Sequence, residues 1–277
     1  MGSIVVQDAG PRVRAGLTSE SLDLGLPDAV VPARTAAGPS GFDPLNDDTI
    51  REAVDCYFDE SCDSEALYGP IEAWDVSEVT NMRELFCGDE QDGVSVCTYS
   101  HHKARVFDAD ISAWDVAKVK DTSYFLYRNS RFNTPLQDWD VSQVIEMEGM
   151  FAAATAFDQP LGAWAVERVT DFSYMFAGAT RYNQPLNDWN VASLTDARSM
   201  FDHAVVFNQP LNQWANKWNA SRLDNLREMF FSASAFDQYL SWVVGADVST
   251  RSIAAGTPCA SAKTSARDLG CGITKLD

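Results

Sequence analysis

Three stretches decide the reading: FNTPLQDWDVSQVIEMEGMF at 132–151, FDQPLGAWAVERVTDFSYMF at 157–176 and YNQPLNDWNVASLTDARSMF at 182–201. Laid over one another they match at a step of 25 residues. The step extends outward in both directions. Trp114, Trp139, Trp164, Trp189 and Trp214 are spaced by 25 residues, Trp74 stands 40 before Trp114, and Trp242 stands 28 after Trp214. Other apolar sites keep the same register. Phe107, Phe132, Phe157, Tyr182 and Phe207 precede the Trp by seven. Ile111, Leu136, Leu161, Leu186 and Leu211 precede it by three. Val116, Val141, Val166 and Val191 follow it by two. The pairs Phe125-Leu126, Met150-Phe151, Met175-Phe176 and Met200-Phe201 close each unit.

One such unit cannot bury its own apolar face. Stacked copies give each face a neighbour and build a continuous core. The expectation is an α/β repeat solenoid, a leucine-rich-repeat-like horseshoe with a short strand and a short helix per coil. Within a unit, 185–195 (PLNDWNVASLT) carries Val and Trp in partial alternation and reads as a strand. Thr195 or Asp196 then caps a short helix through Ala204. Pro135, Pro160, Pro185 and Pro210 fix φ at one corner of each unit.

These three quoted units resemble the BspA-type leucine-rich-repeat-like surface repeats, approximately 25-residue units formerly carried as a domain of unknown function. The resemblance covers about 49–242, including the helical entry segment before the first repeat. It implies a leucine-rich-repeat-like solenoid and a surface or interaction role, and carries over no catalytic residues. The chain departs from the family pattern in an insertion at 87–106, an insertion at 216–222 and both tails.

The organisation that follows has four parts. Residues 1–40, rich in Gly, Pro, Ala and Ser, read as an extended tail. Residues 41–70 form an N-terminal helical cap, with Asp47 or Asp48 capping a helix through about Phe58. Residues 71–242 are the repeats with their insertions. Residues 243–277 form a C-terminal cap or tail.

With 21 Lys+Arg against 40 Asp+Glu the net charge is −19, which repels nucleic acid and anionic membrane. The expected partners are proteins, with neutral carbohydrate as a second class. No stretch has the ~20 apolar residues that cross a bilayer. Six cysteines fall into three close pairs, suggesting the disulfides Cys56–Cys62, Cys87–Cys97 and Cys259–Cys271. Those favour a secreted, cell-surface or organelle-lumenal setting, although no signal peptide is visible at the start.

The usual catalytic signatures are absent: no G-x-S-x-G, P-loop, G-x-G-x-x-G or H-E-x-x-H occurs. No cofactor, metal site or catalytic residue is expected. Most acidic residues repeat, and repeated polar columns satisfy backbone groups at unit corners. Asn219-Ala220-Ser221 forms an N-glycosylation sequon. Positions that break the repeat are free for function, so the insertion residues Tyr99, His101, His102, Lys103 and Arg105 are the candidate partner contacts. The reading is a non-catalytic interaction module: an adhesin, or a docking or scaffold subunit of a larger assembly. The alternative is a carbohydrate-active enzyme or a sugar-binding protein, using carboxylates or aromatics outside the repeat core.

Overall fold

A computed structural model describes residues 42–88, 96–219, 222–261 and 268–276. The expected tail at 1–40, part of the 87–106 insertion and Ser221 of the sequon lie outside the described residues. Regular elements are few. Helices α1 (Thr49–Phe58) and α2 (Ser64–Tyr68) open the chain, and single-turn 3-10 segments occupy Ile71–Ala73, His102–Val106, Asn212–Asn216 and Pro258–Ser261. Near the end, strands β1 (Val243–Val244) and β2 (Thr274–Lys275) pair in parallel, Val243 opposite Thr274.

Between these elements the repeated units lie against one another in register. Asn81, Asp121, Glu146, Asp171, Asp196, Asn225 and Ser249 are joined in that order by parallel bridges. From each bridge a ladder of turns runs on. The amides of Phe172, Tyr174, Phe176 and Gly178 donate to the carbonyls of Asp196, Arg198, Met200 and Asp202 in the next unit, at 2.6–2.9 Å. The amides of Met175, Ala177 and Ala179 donate instead within their own unit, to Phe172, Tyr174 and Phe176. The remaining amide, Ser173, donates to its neighbour's carboxylate, Asp171 Oδ1, at 2.6 Å. Every amide from 172 to 179 is thereby satisfied, as burial of this segment requires.

This alternation has a conformational cost. Tyr174 and Gly178 hold φ of 58° and 67°, and the same two columns repeat as Tyr124 and Arg128, Gly149 and Ala153, Ser199 and His203, Glu228 and Ser232. A non-glycine residue in this region costs about 1–2 kcal/mol. Four cross-unit hydrogen bonds, at about 0.5–1.5 kcal/mol net each, offset two such residues.

The unit therefore differs from a strand followed by a helix. Residues 185–195 run through tight turns, with the Trp189 amide donating to Leu186 O and the Leu194 amide to Val191 O. The expected helix over 196–204 is the turn ladder. It cannot be helical, because alternate amides leave for the next unit and Ser199 and His203 have positive φ.

The apolar columns fill the space between ladder and corners. All seven repeat-register indoles are buried, and each Nε1–H donates to a carbonyl: Trp139 to Ile111, Trp164 to Leu136 and Trp189 to Leu161, at 2.9–3.1 Å. Phe rings stack from unit to unit, with centroids 5.9 Å apart for Phe107–Phe132 and 6.2 Å for Phe132–Phe157. A second file runs Phe151–Phe176–Phe201–Phe230 at 5.6–5.7 Å. Tyr182 stands in the first file, between Phe157 and Phe207. Its hydroxyl is fully buried without a hydrogen-bond partner among the described residues. Tyr182→Phe is expected to raise stability by about 1 kcal/mol, because it removes an unmet polar group and restores the file. Unchanged or lower stability in a urea titration would mean that the hydroxyl is solvated where it stands.

One corner is held by a polar column. Asn133, Asp158, Asn183 and Asn208 each accept, through Oδ1, the backbone amide of the equivalent residue in the next unit, at 2.8–2.9 Å. Gln184, Gln209 and Gln238 donate back to Asp158, Asn183 and Asn208.

Helix α1 closes the first unit by burying Ile50, Ala53 and Val54. Its start departs from expectation. Asp48 sits at the cap position without a side-chain bond, and Asn46 Oδ1 accepts the amides of Asp48 and Thr49 instead. Asp47 reaches across to the first unit, where it accepts Thr80 N, Thr80 Oγ1 and Asn81 N at 2.6–2.9 Å. The three disulfides suggested by the cysteine spacing are formed. Their Cα separations are 5.2 Å for Cys56–Cys62, 6.6 Å for Cys87–Cys97 and 4.7 Å for Cys259–Cys271, all within the range a disulfide spans. Among the described residues no helix is long and apolar enough to cross a membrane.

Candidate functional site

The insertion residues singled out by the sequence face inward more than outward. Glu84, only 5% exposed, accepts Thr98 N, Thr98 Oγ1 and Tyr99 N at 2.7–2.9 Å. Burial pushes its carboxyl up. The bonds from Tyr99 and Thr98, with Arg83 alongside, outweigh that and hold it below the usual carboxylate range. The Tyr99 hydroxyl lies 2.9 Å from Arg51 O and 3.0 Å from Asp55 Oδ1, and the Arg51 guanidinium sits over its ring. Burial, then Asp55, raise the Tyr99 phenol far above its ordinary value.

His101 Nε2 lies 3.0 Å from Asp55 Oδ1. Burial lowers its pKa against the pull of Asp55, which leaves the imidazole neutral at pH 7. Lys103 Nζ donates to Phe58 O at 2.9 Å and to Glu60 Oε1 at 2.8 Å, where a cation suits the C-terminal end of α1. Arg105 lays its stem over Gly88, where a Cβ would come within 2.6 Å of Arg105 Cγ. Tyr99, His101 and Lys103 thus fasten the insertion to α1, Arg105 packs on Gly88 within the insertion, and His102 is exposed. Asn219 is exposed as well. Among the described residues no group of three His, Cys, Asp or Glu is placed to hold a metal ion.

A different feature stands out on the turn ladder. Tyr124 and Tyr174 occupy the same column two units apart, with Gly149 between them. A Cβ on Gly149 would meet the Tyr124 ring at 2.6 Å, so this ring leans into the space the glycine leaves. Beside it opens a cavity of about 370 Å³, lined by Tyr124, Tyr127, Tyr174, Arg128, Ala152, Ala153 and Ala177 and by Val96 of the insertion. Each ring has a guanidinium on one face: Arg83 over Tyr124 at 5.3 Å, Arg128 over Tyr127 at 5.6 Å and Arg198 over Tyr174 at 4.8 Å. Burial, then a hydrogen bond with Glu148, push the Tyr124 phenol well above its ordinary range, so it remains a neutral donor.

The bridge column runs alongside. Asp121, Glu146, Asp171 and Asp196 follow one another across hydrogen-bonded units. Glu146 is raised by burial, then by Asp171, and Asp196 is raised chiefly by burial. A carboxyl raised in the folded state destabilises the fold once it ionises. That penalty grows as pH rises through the unfolded value and is complete above the folded one.

The sequence reading missed the tyrosine cavity because it looked for function where the repeat is interrupted. The available signal was a variable column inside the repeat: Tyr124, Gly149, Tyr174 and Ser199, each ten residues after its Trp.

A family profile described as "Mycoplasma protein of unknown function, DUF285" matches residues 57–92, 94–214 and 163–259. These spans take in most of the chain. The chain belongs to the DUF285 family. Two of the three matches overlap, 94–214 and 163–259, as expected where successive repeats fit the same profile in more than one register. The DUF285 matches take in the insertion residues 96–106, the tyrosine cavity and the whole bridge column. No curated protein and no solved structure matches the chain.

Proposed function

We propose that this DUF285 chain is a BspA-type, leucine-rich-repeat-like solenoid acting as a non-catalytic interaction module, an adhesin or a docking subunit, with a protein partner bound on the turn-ladder face. The observation that carries this reading is the Tyr124–Tyr127–Tyr174 cavity with its attendant arginines. Tyr and Arg are the residue types favoured at interface hot spots. Here they project from a ladder whose backbone hydrogen bonds do not depend on them. Three disulfides support placement in an oxidising compartment, at a cell surface or in a lumen. The same tyrosines, outside the repeat core, also favour a second reading as a neutral-sugar-binding protein.

The insertion serves in this reading mainly to support the fold, because its aromatic and basic side chains are engaged with α1 and Gly88. The test is affinity capture under native conditions, identification of the retained protein by mass spectrometry, and reconstitution of the purified pair. Tyr124→Ala with Tyr174→Ala is expected to weaken the reconstituted complex at least tenfold, about 1.4 kcal/mol. An unchanged affinity would place the contact elsewhere and defeat the reading.

A further inference from the structure

We propose that the C-terminal end of the turn ladder binds a phosphate or sulfate group. Its donors are backbone amides of residues 250–256, the Thr250 and Ser252 hydroxyls and the Arg251 guanidinium. The site is separate in sequence from the tyrosine cavity, so it stands whether or not a protein docks there.

The ladder is directional. Alternate amides of a unit donate forward to the next unit, and the carbonyls between them accept from the unit before. At the last step the amides of Leu226, Glu228, Phe230 and Ser232 donate to the carbonyls of Ser249, Arg251, Ile253 and Ala255 at 2.8–2.9 Å. The carbonyls of Thr250, Ser252 and Ala254 are taken within their own unit, by the amides of Ile253, Ala255 and Thr257. The forward amides of this last unit belong to Thr250, Ser252, Ala254 and Gly256. None of them has an acceptor among the described residues. Ser252 and Gly256 keep the positive φ of the two strained columns, at 55° and 84°, so the row continues the ladder.

The open row therefore consists of donors alone. An ordinary extended strand presents amides and carbonyls together along one side, so it would set donors against donors. An oxyanion presents only acceptors. Rows of free backbone amides in turn conformations form anion-binding concavities, and aligned peptide dipoles favour negative charge at the amide end.

The side chains agree. A cavity of about 180 Å³ lies against the row, and its lining includes Thr250, Ser252 and Ala254 together with Ala260 and Leu269. Thr250 is only 9% exposed, and its hydroxyl makes no hydrogen bond among the described residues. A hydroxyl buried to this extent normally has a partner, and the cavity is where one can sit.

Charge changes along the stack in the same direction. The bridge column is acidic at Asp121, Glu146, Asp171 and Asp196, then neutral at Asn225 and Ser249. Two residues further on in each unit, Ser123, Glu148 and Ser173 give way to Arg198, Arg227 and Arg251. Arg198 lies over Tyr174 and Arg227 pairs with Glu228, whereas Arg251 is exposed and makes no ion pair among the described residues. In a chain of net charge −19 an anion needs local compensation, and the last unit supplies it. A tetrahedral oxyanion suits the donor set better than a carboxylate, because its additional oxygens meet several amides and hydroxyls at once.

The probes are inorganic phosphate and sulfate, with acetate and chloride as controls, added to the full chain near neutral pH at constant ionic strength. Amide chemical shifts are followed by NMR. Phosphate, sulfate or both are expected to move the amides of Thr250, Ser252, Ala254 and Gly256 saturably, and the tighter binder names the group. Acetate should bind at least about fivefold more weakly. Arg251→Gln and Thr250→Val should each weaken binding about threefold or more. Arg181→Gln, which removes an exposed charge elsewhere on the stack, should leave it unchanged. Arg251 is exposed, so its variant keeps the test valid if Thr250→Val unfolds. Absence of saturable shifts at these amides would overturn the proposal. So would equal binding of acetate, or an equal loss in Arg181→Gln, which would reduce the effect to bulk charge.

Discussion

Trp164→Ala is expected to lower stability by about 3–5 kcal/mol, the range for truncating a large buried aromatic. The indole is 4% exposed, and its Nε1–H donates to Leu136 O of the preceding unit at 2.9 Å. Truncation therefore leaves a cavity against the Phe151 ring, whose centroid lies 6.4 Å from the indole, and removes one of the two donors to Leu136 O, the Trp139 amide remaining. Trp164→Phe separates the two losses. It keeps much of the apolar contact and loses the hydrogen bond, so it should fall about midway. Because neighbouring units are coupled, the damage should spread along the stack and lower the cooperativity of urea unfolding as well as its midpoint. An Ala variant within about 1 kcal/mol of the parent would show that the Trp column is not the main store of stability.

The repeat was legible because it is written in large residues. Trp, Phe and Leu recur at fixed offsets, and the physical demand behind them, a face that only a neighbour can bury, is simple. The cysteine pairs were legible for a similar reason, since short loops keep the partners near one another. The backbone of each unit was not. A pattern such as TDARSMF fits a short helix by composition, yet Ser199 has a φ of 54°, and its amide donates to Arg227 O. Nothing in a serine announces a left-handed conformation. Only Gly149 and Gly178 hint at the two strained columns, and Tyr124, Ala153, Tyr174 and His203 conceal them. The cavity was hidden by the same logic. Tyr124 and Tyr174 look like positions that merely vary from repeat to repeat until the ladder places them in one column with a glycine between them.

The inward pull of the insertion leads to the other large effect. Glu84→Ala is expected to cost about 3 kcal/mol and to loosen residues 96–106, although the Cys87–Cys97 disulfide still tethers them. The carboxylate is buried and collects two backbone amides and a hydroxyl from Thr98 and Tyr99. Removing it orphans those donors, and hydrogen bonds to a charged group are worth more than neutral ones. Strain can be separated from hydrogen bonding here, because Glu84 itself has a φ of 62°. Glu84→Gly loses the same bonds but relaxes the backbone, so it should be about 1 kcal/mol milder than Ala. Glu84→Gln keeps an acceptor without the charge and should be mildest. The sign of the pH dependence follows from the depressed pKa. A carboxyl lowered in the folded state stabilises the fold above its unfolded value, near 4.3, and that contribution is lost as pH falls through the folded value. The gap between parent and Glu84→Ala should therefore be flat from about pH 5.5 upward and narrow below about pH 4. Hydrogen exchange at the Thr98 and Tyr99 amides, with thermal melts across that range, reads both effects. Parent-like protection at these two amides in the Ala variant would mean that the insertion is held by Tyr99, His101 and Lys103 against α1 alone.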